Sequence, residues 1–160
     1  MRWQYNDGGR KAAGFKGDPG DCVTRAIAIA TGKPYLEVYN ALNKFAESER
    51  PRKGKSRSNA RTGVYKRTQH RYIASLGWKW VPTMGIGTGC RVHLRADELP
   101  AGRLIVSVSR HCVAVLDGVL HDTYDTSRAG MRCVYGYWLP PEKPSLMARV
   151  VHSIRIRMGD

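Results

Sequence analysis

Arg103-Leu-Ile-Val-Ser-Val-Ser-Arg-His111-Cys-Val-Ala-Val-Leu-Asp117-Gly118-Val-Leu-His-Asp122-Thr-Tyr-Asp125 contains three apolar runs, separated by a polar corner and by an Asp-Gly pair. Asp-Gly between apolar runs is the strongest short-range hairpin signal, because both residues accept the positive φ that a two-residue turn of matching twist requires. The stretch reads as a β-meander. A two-residue turn fixes the register, with Leu116 opposite Val119, Val113 opposite Asp122 and His111 opposite Tyr124. Side chains alternate, so His111, Val113, Asp122 and Tyr124 share one face, while Cys112 and Asp125 fall on the other. His111 and Asp122 then become diagonal neighbours, roughly 7–8 Å apart between backbones and within reach of an imidazole–carboxylate hydrogen bond. A three-residue loop with a bulge would select Asp125 instead.

Far upstream, Gly20-Asp21-Cys22-Val23-Thr24-Arg25-Ala26 follows a Pro-Gly turn and opens a helix. Val23, Ala26, Ile27 and Ala30 form one apolar stripe, and Gly32 and Pro34 stop it. Cys22 therefore lies in the first turn, where unsatisfied N–H groups and the positive end of the helix dipole favour a thiolate over a thiol of ordinary pKa about 8.5. The competing reading makes Cys22 a small buried hydrophobe and Asp21 a plain N-cap. A helix-borne cysteine and a strand-borne histidine with a neighbouring carboxylate form a nucleophile, base and orienting group.

Between these two stretches, Pro34 can begin a second helix running to about Glu47, with Tyr35, Val38, Tyr39, Leu42 and Phe45 on its buried face. A third spans about Gly63 to Leu76, with Tyr65, Tyr72, Ile73 and Leu76 aligned and Gly77 as cap. Trp78-Lys-Trp-Val-Pro82 alternates as a strand, and Arg95–Pro100 reads as a helical turn. Val151–Arg157 alternates as an edge strand. Helices first and an antiparallel sheet afterwards make an α+β domain, with residues 139–160 as a tail of unassigned structure.

The 160 residues suffice for one domain that buries a core without disulfide or metal support. The four cysteines, 22, 90, 112 and 133, show no framework spacing and read as reduced thiols of a cytoplasmic protein. The chain start lacks the apolar segment of a signal peptide, and no run approaches the ~18 apolar residues of a membrane span. Cys90-Arg-Val-His93 has ligand-like spacing, but a structural zinc site needs a second close pair, so no metal is expected. Gly85-Ile-Gly-Thr-Gly89 lacks the Lys-Ser/Thr of a phosphate loop and reads as a lid or rim. The aromatics of Tyr135-Gly-Tyr-Trp138 read first as sheet packing.

Charge is the other strong feature: 27 basic residues against 13 acidic give +14. Ten of the basic residues lie between Lys44 and Arg71. The stretch 49–63 carries Arg50, Arg52, Lys53, Lys55, Arg57 and Arg61 among Pro, Gly and Ser with almost no hydrophobes, so a mobile loop or insertion is expected there. Such a loop suits nucleic acid, an acidic protein partner, or solvent alone.

With Cys22, His111 and a following carboxylate in that order, the chain resembles small papain-like cysteine hydrolases. More narrowly, GDCVTRAIAIATGKPY, LPAGRLIVSVSRHCVAVLDGVLHDTYD and CVYGYW resemble small proteins of bacteriophages and prophages, over about residues 18–138. The resemblance implies a papain-like fold, Cys22 as nucleophile, His111 as general base and acid, Asp122 as orienting group, a protein or peptide substrate, and no cofactor. Papain-like enzymes carry a glutamine just before the cysteine as an oxyanion donor, whereas Phe15–Asp21 has no amide side chain. Gln4 or Asn6 is the expected substitute, Asn6 preferred because Gly8-Gly9 lets the N-terminal segment fold back over the helix start. The alternative function is a catalytically silent scaffold whose basic loop binds nucleic acid or a host protein.

Overall fold

The apolar runs of the meander become β3 (Arg103–Val108), β4 (His111–Leu116) and β5 (Val119–Asp122) in a computed structural model that describes residues 1–17, 20–50 and 52–143. Asp117 and Gly118 both take positive φ, 48° and 76°, and Leu116 pairs with Val119, as a two-residue turn requires. β6 (Val134–Leu139) and β2 (Lys79–Pro82) extend the sheet beyond β3, and β1 (Arg2–Tyr5) closes the opposite edge. The strand order is β1-β5-β4-β3-β6-β2. β1 runs parallel to β5 and every other neighbouring pair is antiparallel. With three helices, α1 (Cys22–Thr31), α2 (Tyr35–Ala46) and α3 (Lys66–Ser75), the class is α+β with a mixed sheet.

Both faces of the sheet are covered, which is why the meander reads as nearly continuous apolar sequence. On one face Ile105, Cys112, Ala114 and Trp138 meet the helices through Ile27, Ala30, Val38, Leu42 and Ile73. On the other, Leu104, Val106, Val113, Val115 and Leu120 lie beneath Leu94 and Leu99 of the segment before β3. Gly32 ends α1 in the left-handed region and returns its N–H to the Ala28 carbonyl at 2.9 Å. On α2, Tyr35, Val38 and Leu42 are buried as expected, with Tyr39 and Phe45 partly so. α3 begins at Lys66 rather than Gly63, and Tyr65, placed on its buried face by periodicity, is exposed. Within residues 95–100 a single turn forms, the Glu98 N–H bonding the Arg95 carbonyl at 3.3 Å. The expected strand Val151–Arg157 lies outside the described residues. Among the described residues no helix is long and apolar enough to cross a membrane.

Two further expectations are corrected by the fold. Cys90 and Cys133 are joined in a disulfide with Cα atoms 5.8 Å apart, leaving Cys22 and Cys112 as free thiols. The join follows from pairing just downstream: His93 bridges to Cys133, and the Val134 N–H bonds the Val92 carbonyl at 2.8 Å. The basic stretch 49–63 is also not a free loop. Ala60 is buried, its N–H bonds Asn43 Oδ1 at 2.8 Å, and its carbonyl accepts the Thr24 hydroxyl at 2.7 Å. Glu49 accepts the Ser58 N–H at 2.7 Å and the Thr68 hydroxyl. A segment poor in hydrophobes is held here by satisfied polar groups around one buried alanine.

Candidate active site

α1 delivers Cys22 to the end of the sheet where β4 begins and β5 ends. His111 opens β4 immediately after a tight corner at Arg110, whose φ is 54°. His111 Nε2 donates to Asp122 Oδ2 at 2.6 Å. That leaves Nδ1 for the Cys22 thiol, which lines the same cleft and lies close enough for the two groups to shift each other's pKa. Asp122 Oδ1 accepts from Arg25 Nη2 at 3.1 Å and from the Thr123 N–H at 2.7 Å. The structure thus brings Cys22, His111 and Asp122 together in one line, and the ring of Tyr124 lies 5.7 Å from that of His111.

The electrostatics favour an ion pair. Burial opposes the Cys22 thiolate, but hydrogen bonding and charge attraction from His111, the Cys112 backbone N–H and Arg25 outweigh it and lower the thiol's pKa. Burial likewise opposes the imidazolium, yet the bonds to Asp122 and Cys22 raise His111 to about 9. Asp122 is pushed up by burial and pulled lower overall by His111, Thr123 and Arg25. Cys112 shows the contrast: fully buried beside the same charges, its thiol is held well above the ordinary value, by burial first and then by Cys22 and Asp122.

Behind the triad lies a buried charge chain. Asp21 caps α1 in sequence but makes no side-chain cap bond. Its Oδ1 accepts from Arg25 Nη1 at 2.5 Å and Arg10 Nη1 at 3.2 Å, and its Oδ2 from the Tyr35 hydroxyl at 2.6 Å. Arg25, one turn along from Cys22, therefore joins Asp21 to Asp122. Gly8 makes this approach possible: at φ 67°, a Cβ there would sit 3.1 Å from the Arg25 Cα and carbonyl oxygen.

A cleft of about 710 Å³ opens over the thiol, lined among others by Val64, Lys66, Gln69, Arg110, Tyr124 and Tyr135. Neither Gln4 nor Asn6 lines it. The N-terminal segment does fold back over α1, but it does so as a strand parallel to β5, with Gln4 opposite His121. The Asn6 amide is spent on His121 Nδ1 at 3.3 Å and the Gly8 N–H at 2.9 Å. Gln69 is the amide side chain that lines the cleft, and its Nε2 donates to Cys112 Sγ at 3.5 Å. No motif in the sequence marks it, since its place depends on how α3 docks.

The remaining sequence features divide. Tyr135, the extra residue at a bulge between β3 and β6, lines the cleft, whereas Trp138 is buried against Trp80. His70 is wedged between those two indoles at 4.6 and 4.9 Å. Residues 85–89 do not line the cleft, so the expected lid or rim is not formed by them. Of the basic residues, Arg50, Arg52, Lys55 and Arg57 line a second cleft. Lys53 does not, and Arg61 instead bonds the Lys16 carbonyl and covers the Phe15 ring. Among the metal-ligand candidates, Cys90 is spent in the disulfide and His93 pairs with Glu98. No protein-family model, curated protein or solved structure matches this chain.

Proposed function

We propose that this chain is a papain-like cysteine hydrolase or acyl transferase, acting on an amide, isopeptide or thioester bond of a protein or peptide through Cys22. The supporting observation is the line Cys22–His111–Asp122, running from the cleft to a buried carboxylate, with the thiol's pKa lowered and the imidazole's raised. The Cys22 thiolate attacks the carbonyl carbon, forming a C–S bond and an oxyanion. Imidazolium His111 protonates the leaving amine or thiol as its bond to carbon breaks, giving an acyl-enzyme. Neutral His111 then takes a proton from water, or from an acceptor nucleophile, whose attack releases the thiolate. Asp122 holds the ring and balances its charge. Backbone N–H groups at the start of α1 and the Gln69 amide are the donors this reading assigns to the oxyanion, in place of Asn6 and Gln4.

Site-resolved mass spectrometry of iodoacetamide labelling against pH tests the proposal. Wild-type Cys22 should label readily at about pH 6, where a free thiol of pKa about 8.5 is almost wholly protonated, while Cys112 stays unlabelled. His111→Ala should abolish that acid-side reactivity. Labelling of Cys22 that rises only near the free-thiol value, equal in both proteins, would remove the enzyme reading.

A further inference from the structure

Lys66, at the first position of α3, lines both the thiol cleft and the second cleft, of about 880 Å³. The second cleft is walled by Arg50, Arg52, Lys55 and Arg57 on the loop side and by Arg67 and Arg71 on α3. Its one lining carboxylate, Glu49, is already engaged by the Ser58 N–H and the Thr68 hydroxyl. The cations are therefore left facing solvent with little internal neutralisation. This concentration is built rather than incidental: the loop that carries it is fastened through buried Ala60 to α1 and α2. The thiol cleft continues the same sign, with Lys66 and Arg110 in its lining.

We infer that the second cleft holds an acidic stretch of the polypeptide substrate, which passes over Lys66 and so presents its acyl bond to Cys22. The inference rests on the acyl-transfer reading: a polypeptide brings both clustered negative charge and an amide or isopeptide bond to cleave, whereas a nucleic acid brings the charge without such an acyl group. Converging cations in a concave site attract such a segment at long range and fix its direction at short range.

The test uses fluorescein-labelled oligoglutamate, an oligothymidylate of equal charge, and the triple variant Arg52→Gln/Lys55→Gln/Arg57→Gln, whose three positions are exposed. Anisotropy should show oligoglutamate binding that weakens about tenfold in the triple variant, at a factor of about two to three for each exposed ion pair. Binding should be unchanged in Cys22→Ala. Saturating unlabelled oligoglutamate should slow Cys22 alkylation several-fold in the wild type and, at the same concentration, leave the triple variant near its peptide-free rate. Unchanged affinity in the triple variant, or unhindered alkylation of the saturated wild type, would overturn the inference. Tighter binding of oligothymidylate through the same residues would overturn it in favour of nucleic acid. An ordinary thiol titration of Cys22 with intact oligoglutamate binding would instead sink the acyl-transfer reading on which the inference rests.

Discussion

Replacing Asp122 with Asn removes the anion that His111 Nε2 addresses at 2.6 Å while keeping the side chain's shape. In the wild type His111 is raised from 6.5 to about 9. At about 1.4 kcal/mol per tenfold in proton affinity, that net rise of about 2.5 in pKa corresponds to about 3 kcal/mol, left after Asp122 and Cys22 together have outweighed the opposing effect of burial. With Asp122 neutral, burial and the remaining Cys22 attraction oppose each other, and the His111 pKa should fall by at least about one, or roughly 1.4 kcal/mol. NMR titration of the imidazole C–H resonances reads this directly. The stability consequence has a definite sign. Because the folded pKa is raised, His111 contributes in full below 6.5 and loses its contribution as pH rises through about 9. The stability gap between wild type and Asp122→Asn should therefore narrow over that window in urea titrations. A His111 that titrates near 6.5 in the wild type, or is unmoved by Asp122→Asn, would refute the ion-pair reasoning.

Gly136→Ala would drive a methyl group into the Trp80 indole and place it 2.8 Å from the Val81 carbonyl oxygen. Overpacking of this kind should cost about 1–3 kcal/mol, seen as a lower urea midpoint at constant slope, and an unchanged midpoint would contradict the described Trp80 packing. Asp21→Asn should cost about 3–5 kcal/mol, because Arg10 loses its buried charge partner and Arg25 one of its two. A loss below about 1 kcal/mol in the same assay would mean that water, and not the protein, satisfies those guanidiniums.

What could be read from the chain was local. Asp117-Gly118 fixes a register, and register alone places His111 beside Asp122 rather than Asp125, so two members of the triad were legible from one turn. Cys22 was legible as a helix-start thiol, but its meeting with His111 was expected from residue types and from the resemblance rather than from geometry, since nothing local carries α1 to the sheet. Gln69 and the Cys90–Cys133 link were invisible for a related reason: both depend on segments that meet only after the sheet has formed. β1 gave no signal because all four of its residues are exposed, with no burial to impose alternation. Asn6 was misassigned although the fold-back at Gly8 occurs. The segment enters parallel to β5, and that direction sends the amide to His121. Counting hydrophobes overstated the freedom of residues 49–63, because one buried methyl group and a few satisfied polar groups are enough to tether a loop.

The path from Asp21 through Arg25 to Asp122 leads from the first turn of α1, the turn that also bears the nucleophile, to the end of β5. Sliding that helix by one turn, about 5.4 Å, would part Arg25 from Asp122 and carry Asp21 away from Arg10 and the Tyr35 hydroxyl. The charge chain thus works as a keyed fit: the helix has one seat in which its charges are matched, and in that seat the thiol already faces the imidazole. A near-native docking that is mechanically sound but chemically misaligned is disfavoured by the same buried charges, so assembly of the fold and assembly of the reactive pair become one event.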